Sequence, residues 1–161
     1  MLLTITRFLQ LVFMGLYTGI LFGDRVGVTP IRPKMPAASF VLYQQQLHLV
    51  FGKLMPVLLF GSLLAGIVSL VLQRRNYRNM EYLLTVIAIL CNAAVMILTV
   101  LINVPVNQTL MTWQVSTPPE NVMQLWAPWE GSHTIRTVIA VLGFAALAYA
   151  YAHKRHHVNV T

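Results

Sequence analysis

Glu130, His133 and Arg136 stand three residues apart as Glu-x-x-His-x-x-Arg. On a helix each step of three turns the side chain by about 300°, so the imidazole lies within reach of a carboxylate on one side and a guanidinium on the other. A carboxylate on one ring nitrogen would fix the tautomer and raise basicity, leaving the other nitrogen for a proton or a metal. A second histidine, His48, shares a helical face with Gln44, Gly52 and Met55. Two chemistries suit these residue types. In a base mechanism, His133 oriented by Glu130 takes a proton, with His48 as the second choice, and Arg136, Asn103 and Asn107 stabilise the oxyanion. In a metal mechanism, His48, Glu130 and His133 form a set of two histidines and one carboxylate with open positions for oxygen, suited to iron or copper. The two histidines could also clamp a haem. Only one Glu-x-x-His occurs, half of the paired pattern of carboxylate-bridged di-iron bundles. Against all of these stands a structural reading, in which Glu130, His133 and Arg136 clasp a loop to a helix, His48 bonds across helices, and Asn103 and Asn107 cap a helix end.

The elements that hold these residues must sit in a membrane. With 57% hydrophobic and 9% charged residues, the 161-residue chain is too apolar for a soluble domain of its size. Apolar runs at Ile5 to Phe22, Leu54 to Leu72, Tyr82 to Val104 and Ile135 to Ala152 are each about 18 to 23 residues long, enough to cross about 30 Å of hydrocarbon. The first lacks a small-x-small cleavage site before Asp24 and reads as a retained helix rather than a signal peptide. A single cysteine, Cys91, excludes an intramolecular disulfide. Of the 11 basic residues behind the net charge of +7, Arg7, Arg74, Arg75, Arg78, Lys154 and Arg155 lie on one side of the spans, against Arg25, Arg32, Lys34, Lys53 and Arg136 at the other, a modest margin. This bias predicts both termini in the cytoplasm, with the lipid bilayer as partner and the basic tail from His153 to His157 at the membrane surface. The basic blocks are too short and scattered for a nucleic-acid surface.

Helix signals refine the picture. Gly23 to Pro36, rich in glycine and proline, predicts an irregular segment. From Ala37 one long helix should run to Leu72, kinked at Pro56, with Gln44, Gln45 and Gln46 turned to neighbouring helices near the membrane boundary. Gln73 to Asn79 is a short turn between antiparallel spans. Pro105 should end the third span. Thr117-Pro118-Pro119-Glu120 has the form of a capping box and predicts a short helix from Thr117 to about Trp126, and Pro128 would then open the fourth span. Trp113, Trp126 and Trp129 are read either as an interfacial belt or as the lining of a substrate pocket. The result is a single all-α, integral-membrane four-helix bundle, with spans at about 5–22, 38–72, 80–104 and 129–152 and a short extra helix in the third loop.

Three groups of residues together resemble the anthrone oxygenase family: the Gln44- and His48-bearing second helix, Asn103-x-Pro105-x-Asn107, and Trp113 followed by Trp126-x-x-Trp129-x-x-x-His133-x-x-Arg136. The resemblance covers nearly the whole chain. It implies a small four-span membrane bundle and, for members in polyketide pathways, oxidation of an anthrone to an anthraquinone by molecular oxygen. On that reading a planar phenolic or other hydrophobic molecule binds against Asn103, Asn107, Trp126, Trp129 and Gln44. The substrate anion can pass an electron to oxygen directly, so the base mechanism requires no cofactor. The alternative is a non-enzymatic membrane subunit, or a bundle that binds a small molecule, metal or haem.

Overall fold

Long uninterrupted apolar runs leave the backbone no partner in lipid but itself, so each run closes its own hydrogen bonds as a helix. A computed structural model describes residues 1–156, with side chains through residue 152. It is all-helical, with α1 (Leu2–Gly23), α2 (Ala37–Leu72), α3 (Met80–Leu98), α4 (Val104–Thr112) and α5 (Val122–His156). Four helical segments, 2–34, 37–76, 80–112 and 122–152, are long and apolar enough to cross a membrane. The protein is an integral-membrane four-helix bundle. Spans alternate in direction, so the termini and the turn at Arg74–Asn76 share one end, and the α1–α2 and α4–α5 connections share the other.

The bundle closes around Met14, Tyr17, Leu21, Leu59, Ala88, Val95, Ala140 and Leu147. Helices approach closely where glycine removes a side chain. A Cβ on Gly143 would lie 2.5 Å from Met14 Cε and 2.7 Å from Cys91 Cβ. Gly143→Ala should therefore lower the unfolding free energy by about 1–3 kcal/mol, read by thermal unfolding in detergent; an unchanged midpoint would mean that the α3–α5 seam is loose. A second apolar cluster of Phe40, Val41, Leu110, Val122, Trp126 and Trp129 lies at the end away from the termini. It exists because α2 and α5, at 36 and 35 residues, are about 50 Å long and outreach a hydrocarbon core of about 30 Å.

Several local expectations are corrected. Pro105 does not end the third span. The chain widens into a π-turn at Thr99–Asn103, in which Val104 N–H bonds the Thr99 carbonyl. The helix then restarts with Pro105 in its first turn, where no N–H is required. The short extra helix is thus α4, before the loop, and not 117–126. Thr117 folds back, its N–H and its hydroxyl both donating to Gln114, and Pro119 holds Pro118 out of helical geometry. The helix begins instead at Val122 and runs through Pro128. The irregular segment starts later than Gly23, because α1 continues into a second π-turn at Asp24–Val28 before the single turn at Arg32–Lys34.

At the end that carries the termini, part of the basic charge is paired inside the bundle. Arg7 is buried, donates to Glu81 Oε2 at 2.7 Å and bonds the side-chain oxygen of Gln73. The Ser69 hydroxyl donates to the Ala65 carbonyl of its own helix and lies 3.0 Å from Thr6 Oγ1. The side chains of the basic tail lie outside the described residues.

Candidate functional site

Towards the end away from the termini, the first and third spans widen into π-turns, beginning at Asp24 and just before Val104, while α2 and α5 each carry a proline inside the helix, Pro56 and Pro128, that leaves one backbone carbonyl without its helical donor. Such irregularities free backbone groups, re-aim side chains and concentrate at functional sites. Between them lies a cavity of about 340 Å³, within the range of small-molecule sites. Its α2 wall is Gln44, His48, Phe51, Gly52 and Met55; its floor is Asp24, Arg32, Trp126, Trp129, His133 and Arg136.

The floor is a closed ionic network. Arg32, 1% exposed, is carried under the helix ends by the turn at Arg32–Lys34. Its Nη2 donates to both oxygens of Asp24 at 2.6 and 2.8 Å, and its Nη1 donates to Glu130 Oε1 at 2.7 Å and Thr29 Oγ1 at 3.0 Å. Glu130 also accepts from the Thr29 hydroxyl and from Trp126 Nε1. His133 Nε2 lies 2.9 Å from Asp24 Oδ2, and Arg136 Nη2 lies 3.2 Å from His133 Nδ1. A guanidinium can only donate, so Nδ1 is the acceptor and the proton sits on Nε2, facing Asp24. Two carboxylates and two guanidiniums around a neutral imidazole balance their charges, which is how such groups persist in a low-dielectric setting. Trp129 is stacked between His133 and Trp126 at ring distances of 4.7 and 4.6 Å, with the Arg32 and Arg136 guanidiniums 5.0 and 5.1 Å from its centre.

The expected assignments divide. Glu130 does not orient His133: Asp24 does, from α1, and Glu130 instead secures Arg32. The helix spacing brought Glu130 within reach of His133, but the buried Arg32 competes for it with a charge-assisted bond. Arg136 does meet His133, as the spacing predicts, and its Nη1 donates to Thr99 Oγ1 at 3.1 Å. His48 lines the cavity on α2 and has no hydrogen-bond or ionic partner among the described residues. Gln44 and Asn107 also line it, as do Trp126 and Trp129, which are buried and form no interfacial belt.

Asn103 is elsewhere. It is buried behind the cavity, where its Nδ2 donates to the Trp129 carbonyl at 3.2 Å and its Oδ1 accepts from Ser132 at 2.8 Å. It ties the third span's π-turn to α5. Asn103→Ala should cost about 1–3 kcal/mol of stability through the bonds left unmade, with ligand binding retained; lost binding at full stability would put Asn103 back in the cavity. Gln45 plays a similar part, donating to the Leu110 and Trp113 carbonyls that close α4.

The set His48, Glu130 and His133 does not fit a metal. His133 turns Nδ1 to Arg136 and Nε2 to Asp24, Glu130 is held by Arg32, and among the described residues no group of three or more His, Cys, Asp or Glu side chains is placed to hold an ion.

Asp24 and Arg32 were missed because no fixed spacing links residues on separate elements. Charge counting offered a signal. The chain has 4 acidic residues, and Asp24, Glu81 and Glu130 each pair with a buried arginine. An acid at a span end should find an arginine partner.

Five nitrogens on cavity-lining residues, Arg32 Nε, Gln44 Nε2, Trp129 Nε1, His133 Nε2 and Arg136 Nε, are buried without a hydrogen-bond partner, although His133 Nε2 keeps its ionic contact with Asp24. All are donors, so what the site lacks is acceptors.

No curated protein and no solved structure matches the chain. The profile of the anthrone oxygenase family matches residues 40–156, a stretch that holds His48, Asn107, both cavity tryptophans, His133 and Arg136 and leaves out Asp24 and Arg32. With more than half of its length matched, and the cavity set among α2, the π-turn after α3 and the start of α5, the chain belongs to the anthrone oxygenase family.

Proposed function

We propose that the cavity binds a planar phenolic ketone of the anthrone type and promotes its oxidation by molecular oxygen, with His48 as the base. The observation that carries this reading is the pairing state of the two histidines. His133 is held on both sides, Nδ1 by Arg136 and Nε2 in ionic contact with the Asp24 carboxylate, whereas His48 reaches the same cavity with no polar partner among the described residues. His48 takes a proton from the methylene beside the ketone-conjugated rings, and the charge that develops on the ketone oxygen is met by donors of the cavity, with Gln44, Asn107 and Arg136 the nearest candidates. In the overall change one CH₂ and one O₂ become one C=O and one water; the substrate loses four electrons and oxygen gains them. Trp126 and Trp129 supply flat apolar surface.

Glu130 and His133 act in this scheme as positioning residues, since their contacts in the floor are complete without a ligand. That completeness also favours a second reading, a membrane protein that binds a hydrophobic ligand without turning it over. Oxygen uptake by the detergent-purified protein with 1,8-dihydroxyanthrone, above its spontaneous rate, separates the two: enzyme-dependent uptake with stoichiometric quinone is expected, and binding without uptake would leave the non-enzymatic reading.

A further inference from the structure

The floor of the cavity faces the loop side. Arg32 and Trp126 separate it from a second, outer cavity lined by Arg25, Thr29, Glu130 and Gly131, and both partition residues are held, Arg32 by two carboxylates and Trp126 by Glu130 and by edge contact with Phe40 at 5.5 Å. The α2 side differs. Of all residues that line the main cavity, only Gly52 and Pro56 are exposed, and both lie on the lipid-facing span. They are one turn apart, and proline has no N–H to give to the carbonyl four residues before it, so the Gly52 carbonyl is without its helical partner. Gly52 carries no side chain to block the opening; a Cβ there would meet the His48 ring at 3.5 Å. One point of α2 thus combines a gap in the wall, a broken backbone bond and the unpaired imidazole.

We propose that the Gly52–Pro56 segment is a lateral portal through which a hydrophobic ligand passes from the bilayer into the cavity, and that the outer cavity is not the way in. This inference rests on the reading of the main cavity as a ligand site. The surrounding surface suits such a route, since Leu49, Val50, Val57 and Phe60 are exposed apolar residues on the same stretch of α2, and a flat aromatic concentrates in lipid rather than in water. Bending at Pro56 widens the gap without breaking any further hydrogen bond.

The test uses the full chain in lipid nanodiscs with Cys91→Ala. Gly52→Cys and, separately, Gly131→Cys in the outer cavity are purified folded and then labelled with a bulky maleimide. Association of 1,8-dihydroxyanthraquinone is followed by quenching of tryptophan fluorescence before and after labelling. Labelling at position 52 should slow association by about tenfold or more, while labelling at position 131 leaves the rate unchanged. Unchanged association after labelling at 52, or equal slowing at 131, overturns the portal while the ligand site stands. Absence of quenching in the unlabelled proteins and in the parent chain overturns the ligand site and the portal with it.

Discussion

Replacing Arg32 with methionine should lower the unfolding free energy by about 3–5 kcal/mol, the cost of leaving buried charge without its partner. Among the described residues, Arg32 is the one group that touches both carboxylates of the floor. Without it Asp24 keeps only the imidazole N–H, and Glu130 keeps two neutral donors, Thr29 and Trp126. Asp24 and Glu130 are 18% and 25% exposed, so water relieves the loss in part. Lysine at the same position cannot replace the guanidinium, because one ammonium does not span both acids in a fixed fork. The triple variant Arg32→Met, Asp24→Asn, Glu130→Gln should recover much of the lost stability, since neutral amides leave no uncompensated charge. Unfolding in detergent reads all three proteins. A loss of less than about 1 kcal/mol for Arg32→Met would mean that the network behaves as an exposed ion pair.

His48→Ala should reduce oxygen-dependent turnover by about 10²–10⁴-fold, the usual worth of a positioned base, with thermal stability nearly unchanged because the ring has no polar partner to lose. His133→Ala should do the opposite in kind. It leaves Asp24 Oδ2 and Arg136 Nη2 each short of a bond and should cost about 1–3 kcal/mol of stability, with activity falling only as the floor loosens. Measured side by side, the two variants assign the base. Full turnover in His48→Ala, together with a stable and inactive His133→Ala, would return that role to His133.

Much about this chain was decided by its residues in order. Apolar runs of membrane length, closed by short polar turns, left the backbone no stable form in lipid but spanning helices, so the all-helical bundle was legible before any coordinates. The same holds for the meeting of His133 with Arg136, a contact within one helix, and for the family resemblance carried by residues on α2, at the π-turn and on α5. Local rules misled where proline was involved. Pro105 looked like a stop because the preceding residue normally avoids helical geometry, and a π-turn absorbed the conflict. Pro128 looked like a start, yet the helix had already begun at Val122.

What only the tertiary structure decided was the pairing of charge across elements. Glu130 stood within reach of His133 by spacing alone, and went instead to Arg32, whose guanidinium offers it a charge-assisted bond that a neutral imidazole does not. Asp24, 109 positions away from His133 in the chain, took its place. Periodicity describes which face of one helix a residue occupies; it carries no information on which two helices bring their faces together. That is why the fold could be read from the sequence, whereas the identity of the imidazole left unpaired in the cavity could not.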